Sequence, residues 1–345
     1  MLYRTLPQLA MGAPARRSVP LSGRCSAPAR RIASIAAHAS SSTNSIKLFS
    51  PSKINLFLRV VRRREDGYHD LSSLFHVIDL GDAMEITTSP YALADTLTCS
   101  DPSIPSDESN LVIKALNLYR RKTLQTMYFN VKLTKRVPHG AGLGGGSGNA
   151  ATALYAANKL MGEPVGNEEL LEWSGDIGSD ISVFFSGGAA YCTGRGEVVE
   201  EVPPPVDLNT PLLLVKPPVG LSTPRIFKAL DLSRRSPADP RALLSAIVEA
   251  GGLDQSAAVN DLEQPAFDNL PELAALKQRL LDCGAFRSVF MTGSGSTIVG
   301  FGSDVVPDFL LQEPEYKDLF ISPARLITRR PGGWYMPSGL WTPST

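Results

Sequence analysis

Cysteine is sparse in this chain, and the four that occur (Cys25, Cys99, Cys192 and Cys283) stand far apart. With no C-x-x-C pair they define neither a zinc site nor a disulfide framework, so free thiols in a reducing compartment are expected. Net charge is absent as well. The 34 basic residues balance 34 acidic ones, which leaves no basic excess to attract nucleic acid, and no nucleic-acid partner is expected. Nor does any apolar run approach the roughly 20 residues of a bilayer span, so no membrane insertion is expected. Acidic residues are missing altogether until Glu65. Within residues 1–45, Arg4, Arg16, Arg17, Arg24, Arg30 and Arg31 lie among many Ala and Ser residues. That Arg-rich, acid-poor composition without an apolar h-region is the one expected of an organelle transit peptide, and the segment is set apart from the fold.

What the chain does have, in one place, is glycine. Six of the ten residues from Gly140 to Asn149 are glycine, where 29 glycines in 345 residues would put about one. This loop, VPHGAGLGGGSGNA, follows a strand-like run and leads into the helix-forming AATALYAANKL. Glycines let backbone N–H groups turn inward and approach an anion, and a helix start adds unsatisfied amides and a positive dipole end. A nucleotide phosphate site is therefore expected across Pro138, His139, Gly140, Ala141, Gly142, Leu143, Gly144, Gly145, Gly146, Ser147, Gly148 and Asn149. It is no Walker A loop, because Ser147, Gly148 and Asn149 stand where Lys and Ser/Thr would follow the last glycine. Gly140, Gly142 and Gly145 satisfy G-x-G-x-x-G, but the polar turn MGEPVGNEE follows where a second strand ending in a ribose-binding acid belongs.

Around the loop the chain reads as α+β in two domains, 46–205 and 206–335, with a tail at 336–345, divided at the proline cluster VPPPVDLNTP. Strands are expected in IKLFSPSKINLFLRVVR around a Pro break, in FHVIDLGDAMEITTS, DTLTCS and YFNVKLTKRVP. Helices are expected after the glycine loop and at EELLEWSGDIG, before GSDISVFFSGGAAYCTGRGEVVEEV as strand, turn and strand. Beyond the prolines come a strand LLLVKPP, helices TPRIFKALDL, PRALLSAIVEAG and PELAALKQRLLDCG, and a β-turn-β unit FRSVFMTGSGSTIVGFGS.

Three segments, PSKINLFLRV (51–60), PHGAGLGGGSGNAATAL (138–154) and MTGSGSTIVG (291–300), resemble in order and spacing the three motifs of the kinase superfamily named for galactokinase, homoserine, mevalonate and phosphomevalonate kinases. The elements DGYHDLSSLFHVIDLGD and IGSDISVFF are similar to the branch of that superfamily acting on a cytidine diphosphate ester of methylerythritol. The resemblance implies an N-terminal domain like ribosomal protein S5 domain 2, a C-terminal α+β sandwich, and transfer of a phosphoryl group from ATP, with Mg2+, to the 2-hydroxyl of that small-molecule substrate in non-mevalonate isoprenoid synthesis. The expected location is then the stroma of a chloroplast or other plastid.

On the same resemblance, Lys53 and Asp180 match the catalytic pair, and Tyr68 and His69 the base-recognition element, with Phe227 as a second aromatic plate. Asn55, two residues beyond Lys53, falls on the same strand face and is placed at the substrate. His76 and the imidazole of His139 are read as structural. Two positions depart from the family pattern: Gly148 stands where a Ser is usual and Ser182 where a Pro is usual. The first leaves the metal ligands unassigned, with Ser147 a candidate. Another small-molecule kinase of the superfamily, or a nucleotide-binding relative without catalysis, is the alternative reading.

Overall fold

Two sheets share the chain, and the path between them brings distant motifs together. The structure, a computed structural model, describes residues 43–337; the expected transit segment falls almost wholly outside them, as do Cys25 and most of the 336–345 tail. Strands β1 (Ser45–Arg63), β2 (His69–Ser89) and β3 (Thr96–Cys99) precede helix α1 (Leu111–Thr123), strand β4 (Tyr128–Thr134) and helices α2 (Gly145–Leu160) and α3 (Asn167–Ser174). A 3-10 turn at Ser182–Phe185 leads to β5 (Ala189–Gly194) and β6 (Val198–Glu201), and these six strands form the first sheet in the order β3-β4-β2-β5-β6 with β1 on β2. The second half carries β7 (Pro211–Lys216), α4 (Thr223–Ala229), α5 (Pro240–Ala250), α6 (Glu263–Asn269), α7 (Pro271–Asp282), β8 (Ser288–Met291), β9 (Ile298–Phe301), α8 (Asp308–Gln312) and β10 (Phe320–Arg325). Its sheet runs β10-β7-β9-β8. The α+β fold of the superfamily expected from the sequence is what the chain adopts.

The first strand is longer than its composition indicates. Pro51 does not break β1; a register shift between Pro51 and Ser52 accommodates it, as a residue without N–H requires in a ladder. From Phe49 to Val60 every residue of β1 is buried, because both of its faces are covered. Helix α1 was not expected, although Asn110 caps it by accepting from the Val112 amide at 2.8 Å and Val112, Ile113, Leu116 and Tyr119 repeat at helical spacing on its buried side. In GSDISVFF the β-favouring residues Ser182–Phe185 form a 3-10 turn instead of a strand, and the hairpin is supplied by β5 and β6. Helix α6 and strand β10 were likewise not expected.

Main-chain bonds join the halves. The Leu58 amide donates to Val259 O at 2.8 Å and the Asp261 amide to Leu58 O at 2.9 Å. Beyond β10 the chain returns to the first sheet, where Ile327 N donates to Val77 O at 3.0 Å and Trp334 Nε1 to Phe49 O at 2.9 Å. Among the described residues Cys99, Cys192 and Cys283 are free thiols, and no helix is long and apolar enough to cross a membrane.

Candidate active site

The glycine loop is held between β1 and the turn joining β8 to β9. Gly140, Gly142 and Gly144 have φ of 62°, 74° and 65°, the left-handed region that a side chain strains. A Cβ on Gly142 would lie 2.2 Å from Thr292 O, and one on Gly144 2.9 Å from Lys53 Cε. Lys53 N donates to Leu143 O at 2.9 Å and Thr297 N to Ala141 O at 3.2 Å, so all three motif segments meet here. Gly144 caps α2 without any side-chain hydrogen bond, leaving the first-turn amides of a 16-residue helix for an outside acceptor.

These amides open on a cleft of about 1390 Å³ lined by Lys53, Asn55, Tyr68, His69, Asp180, Phe227, residues 138–147 and Asn149. Every residue expected to bind nucleotide or substrate lies on it except Gly148. Gly148 faces away: a Cβ there would stand 2.1 Å from Pro51 O and 3.4 Å from the Phe184 ring. A side chain at this position would point toward Pro51 and Phe184 and not into the cleft, so Gly148, expected among the nucleotide-binding residues, lines the core side of the helix. The other departure from the family pattern, Ser182, begins the 3-10 turn, where proline also fits because the first amide of a helical turn needs no internal partner, and its hydroxyl meets that of Ser174 at 2.9 Å.

Lys53 is 2% exposed, and its ammonium donates to Asn55 Oδ1 at 2.8 Å and Gly142 O at 3.0 Å. Asp180 Oδ2 lies 3.6 Å from Lys53 Nζ, on the loop before the 3-10 turn, with its carboxylate partly open to solvent. Burial holds the Lys53 pKa below the ordinary lysine value, and the charge of Asp180 works against that shift. A buried cation beside an accessible carboxylate can accept a proton at one group while stabilising oxygen charge at the other. Asn55, expected at the substrate, is largely committed to Lys53: its amide nitrogen donates to Ser73 Oγ at 2.8 Å, which turns Oδ1 toward the ammonium.

At the far end His69 and Phe227 stack with ring centroids 5.3 Å apart and planes at 28°. The Phe227 ring thus pairs with His69, whereas the expected arrangement set it opposite Tyr68. Tyr68 is 58% exposed and carries the Arg195 guanidinium 5.2 Å from its ring centre. The His69 pKa is lowered by burial and then by the charge of Arg63. Arg63, Lys135, Arg195 and Lys228 all border the cleft, giving it a cationic lining that suits phosphates. Sequence reasoning missed these cations, as it missed Thr292, whose Oγ1 accepts from the Asn55 amide at 2.9 Å. His76, read from the sequence as structural, is fully buried off the cleft, and its Nδ1–H donates to Val77 O at 2.9 Å.

No group of three His, Cys, Asp or Glu among the described residues could cage a metal ion. The donor set around the loop, one carboxylate at Asp180 and a hydroxyl at Ser147, suits a cation that arrives with phosphate oxygens and keeps several waters.

Comparison with known proteins identifies the family. Residues 110–188 match the N-terminal domain of the GHMP kinases. Over 293 residues the chain is 53% identical to the chloroplastic/chromoplastic 4-diphosphocytidyl-2-C-methyl-D-erythritol kinase of Solanum lycopersicum, covering 84% of this chain and 73% of that one. Identity is 52% over 292 residues to the chloroplastic enzyme of the same name from Arabidopsis thaliana, covering 84% and 76%. A solved 4-(cytidine 5'-diphospho)-2C-methyl-D-erythritol kinase superposes with a TM-score of 0.62 at 30% identity, over 81% of this chain and 99% of that one.

Proposed function

Because the chain belongs to the 4-diphosphocytidyl-2-C-methyl-D-erythritol kinases within the GHMP family, we propose that it moves the γ-phosphoryl group of ATP to the 2-hydroxyl of 4-diphosphocytidyl-2-C-methyl-D-erythritol. One observation carries the catalytic part of this reading: buried Lys53 lies 3.6 Å from Asp180 in the same cleft as the free amides of α2. Phosphoryl transfer asks of a protein mainly positioning, charge neutralisation and a place for the acceptor proton. Asp180 takes the hydroxyl proton, and Lys53 stabilises the oxygen that becomes nucleophilic. The loop glycines and the start of α2 hold the triphosphate through main-chain N–H groups. Ser147 and Asp180 would hold a Mg2+ ion brought in by the nucleotide, which would supply neutralisation of the phosphate charge.

The cytosine ring is assigned to the His69, Phe227 and Tyr68 end, where His69 supplies a hydrogen-bonding edge and Phe227 a face. The cleft takes its loop and catalytic pair from the first half of the chain and Phe227 from the second. The curated plant relatives are named chloroplastic, and the same plastid destination is assigned to this chain. A coupled ADP-release assay on the purified protein tests the substrate: turnover is expected with the cytidyl alcohol and not with mevalonate or homoserine. Equal turnover on mevalonate would return the sister-kinase reading.

A further inference from the structure

The glycine loop is fastened from beneath by a carboxylate that the catalytic scheme does not use. Asp82, on β2, has no exposed surface. Its Oδ1 accepts from the amides of Arg136 at 2.7 Å and Val137 at 2.9 Å, the two residues that precede the loop. Its Oδ2 accepts from Asn149 Nδ2 at 2.9 Å, in the first turns of α2, and from the Lys135 ammonium. Lys135 also donates to Asn149 Oδ1 at 3.2 Å and borders the cleft. Asn149 is anchored a second time, donating to Ser50 Oγ at 2.8 Å.

All four donors belong to the unit that runs from the end of β4 into α2. A fully buried carboxylate is costly unless its oxygens are filled, and here they are filled only when the start of the loop and the helix are both in place. We propose that Asp82 is a positioning residue for nucleotide binding: it sets the helix start and the Lys135 ammonium in the register that receives the phosphates of ATP. The inference rests on the assignment of ATP to this loop. The catalytic pair and the aromatic end share no hydrogen bond with Asp82, so its loss acts on one substrate and spares the other.

Asp82→Asn keeps the volume but points an amide N–H toward donors already present at Lys135 and Asn149. In the full chain the KM for ATP is expected to rise at least about tenfold, as for loss of a charged buried partner, while the KM for the cytidyl alcohol stays within about twofold. Asn149→Ala removes only one tie and should give a smaller shift of the same selective kind; it serves as the test if Asp82→Asn does not fold. Melting curves recorded beside the kinetics fix the folded fraction. Unchanged ATP KM in the folded variants, or an equal change in both KM values, overturns the inference. A wild-type protein without ATP-dependent turnover overturns the underlying assignment instead.

Discussion

At the residue scale, Lys53 and Asp180 are separated by 127 positions in the chain and 3.6 Å in space. Asp180→Asn keeps the shape but cannot take the hydroxyl proton, so turnover should fall by about two or more orders of magnitude with ATP affinity nearly intact. Near-normal turnover would remove Asp180 from the scheme. Lys53→Ala should act alike, and the double variant should be no worse than either single one if the pair works as a unit. His76 makes a different prediction, about stability. Burial lowers its pKa from 6.5 to about 4, and its Nε2 meets no hydrogen-bond partner among the described residues. Above pH 6.5 the ring is neutral in both folded and unfolded chains. Between 6.5 and 4 only the unfolded chain takes the proton, so stability is lost as pH is lowered through that window, by roughly 3 kcal/mol in all. Urea midpoints at pH 7.5 and 5 should differ less in His76→Gln than in the wild type; parallel losses would exclude His76 as the cause.

At the scale of elements, the approach of the glycine loop to β1 explains why glycine is needed at particular positions. Gly145 begins α2 with ordinary φ but a Cβ there would meet Val137 Cγ1 at 2.9 Å, and Gly146 has only the Leu111 side chain nearby, whereas Gly144 combines φ of 65° with contact on Lys53. Gly144→Ala is therefore expected to lower turnover more than ATP affinity, because the new methyl displaces the ammonium stem; a loss confined to ATP binding would contradict that contact. The segment after β10 is a second such element. Trp334 stacks on Tyr155 of α2 at 4.5 Å, Tyr335 donates to Ser186 O at 2.7 Å, and Arg329 Nε donates to the same carbonyl at 2.7 Å. It thus secures both α2 and the chain that follows Asp180. Trp334→Ala should cost about 3 kcal/mol in chemical denaturation, in the range for deleting a buried aromatic ring; a loss below about 1 kcal/mol would show that the return segment contributes little.

At the scale of the molecule, the cleft has a glycine-loop end in the first half of the chain and an aromatic end completed by Phe227 of the second. Phe227→Ala removes the ring stacked on His69, and loss of about 0.5–1.5 kcal/mol of stacking should raise the KM for the cytidyl alcohol several-fold with little effect on ATP. Calorimetric titration with CDP checks the position directly. CDP should compete with the alcohol and bind Phe227→Ala and His69→Ala more weakly; unchanged binding by both would place the base elsewhere. Fusion of residues 1–45 to a fluorescent reporter tests destination, with plastid signal expected and diffuse cytosolic signal counting against it.

The glycine loop and the helix after it were legible in the sequence, because glycine density and cap position are local properties of a chain; Lys53, Asp180, His69 and Phe227 were expected from the family resemblance alone, and the fold brings all four to one cleft. Most strands were legible as well, since their β-favouring runs match a half-buried pleat. The same local signals misled at Pro51, where a bulge absorbs the residue, and at Ser182–Phe185, where β-favouring side chains are buried in a 3-10 turn. No local pattern distinguishes Asp82 from any acid in a turn. Its role appears only when β2 passes beneath the loop, since the donors at Lys135, Arg136, Val137 and Asn149 lie more than 50 residues away. The pairing of Phe227 with His69, the commitment of Asn55 to Lys53 and the inward turn of Gly148 were likewise decided by tertiary packing. Composition and spacing determine which chemistry a chain can carry; which oxygen faces which donor depends on how buried polar groups from distant segments satisfy one another.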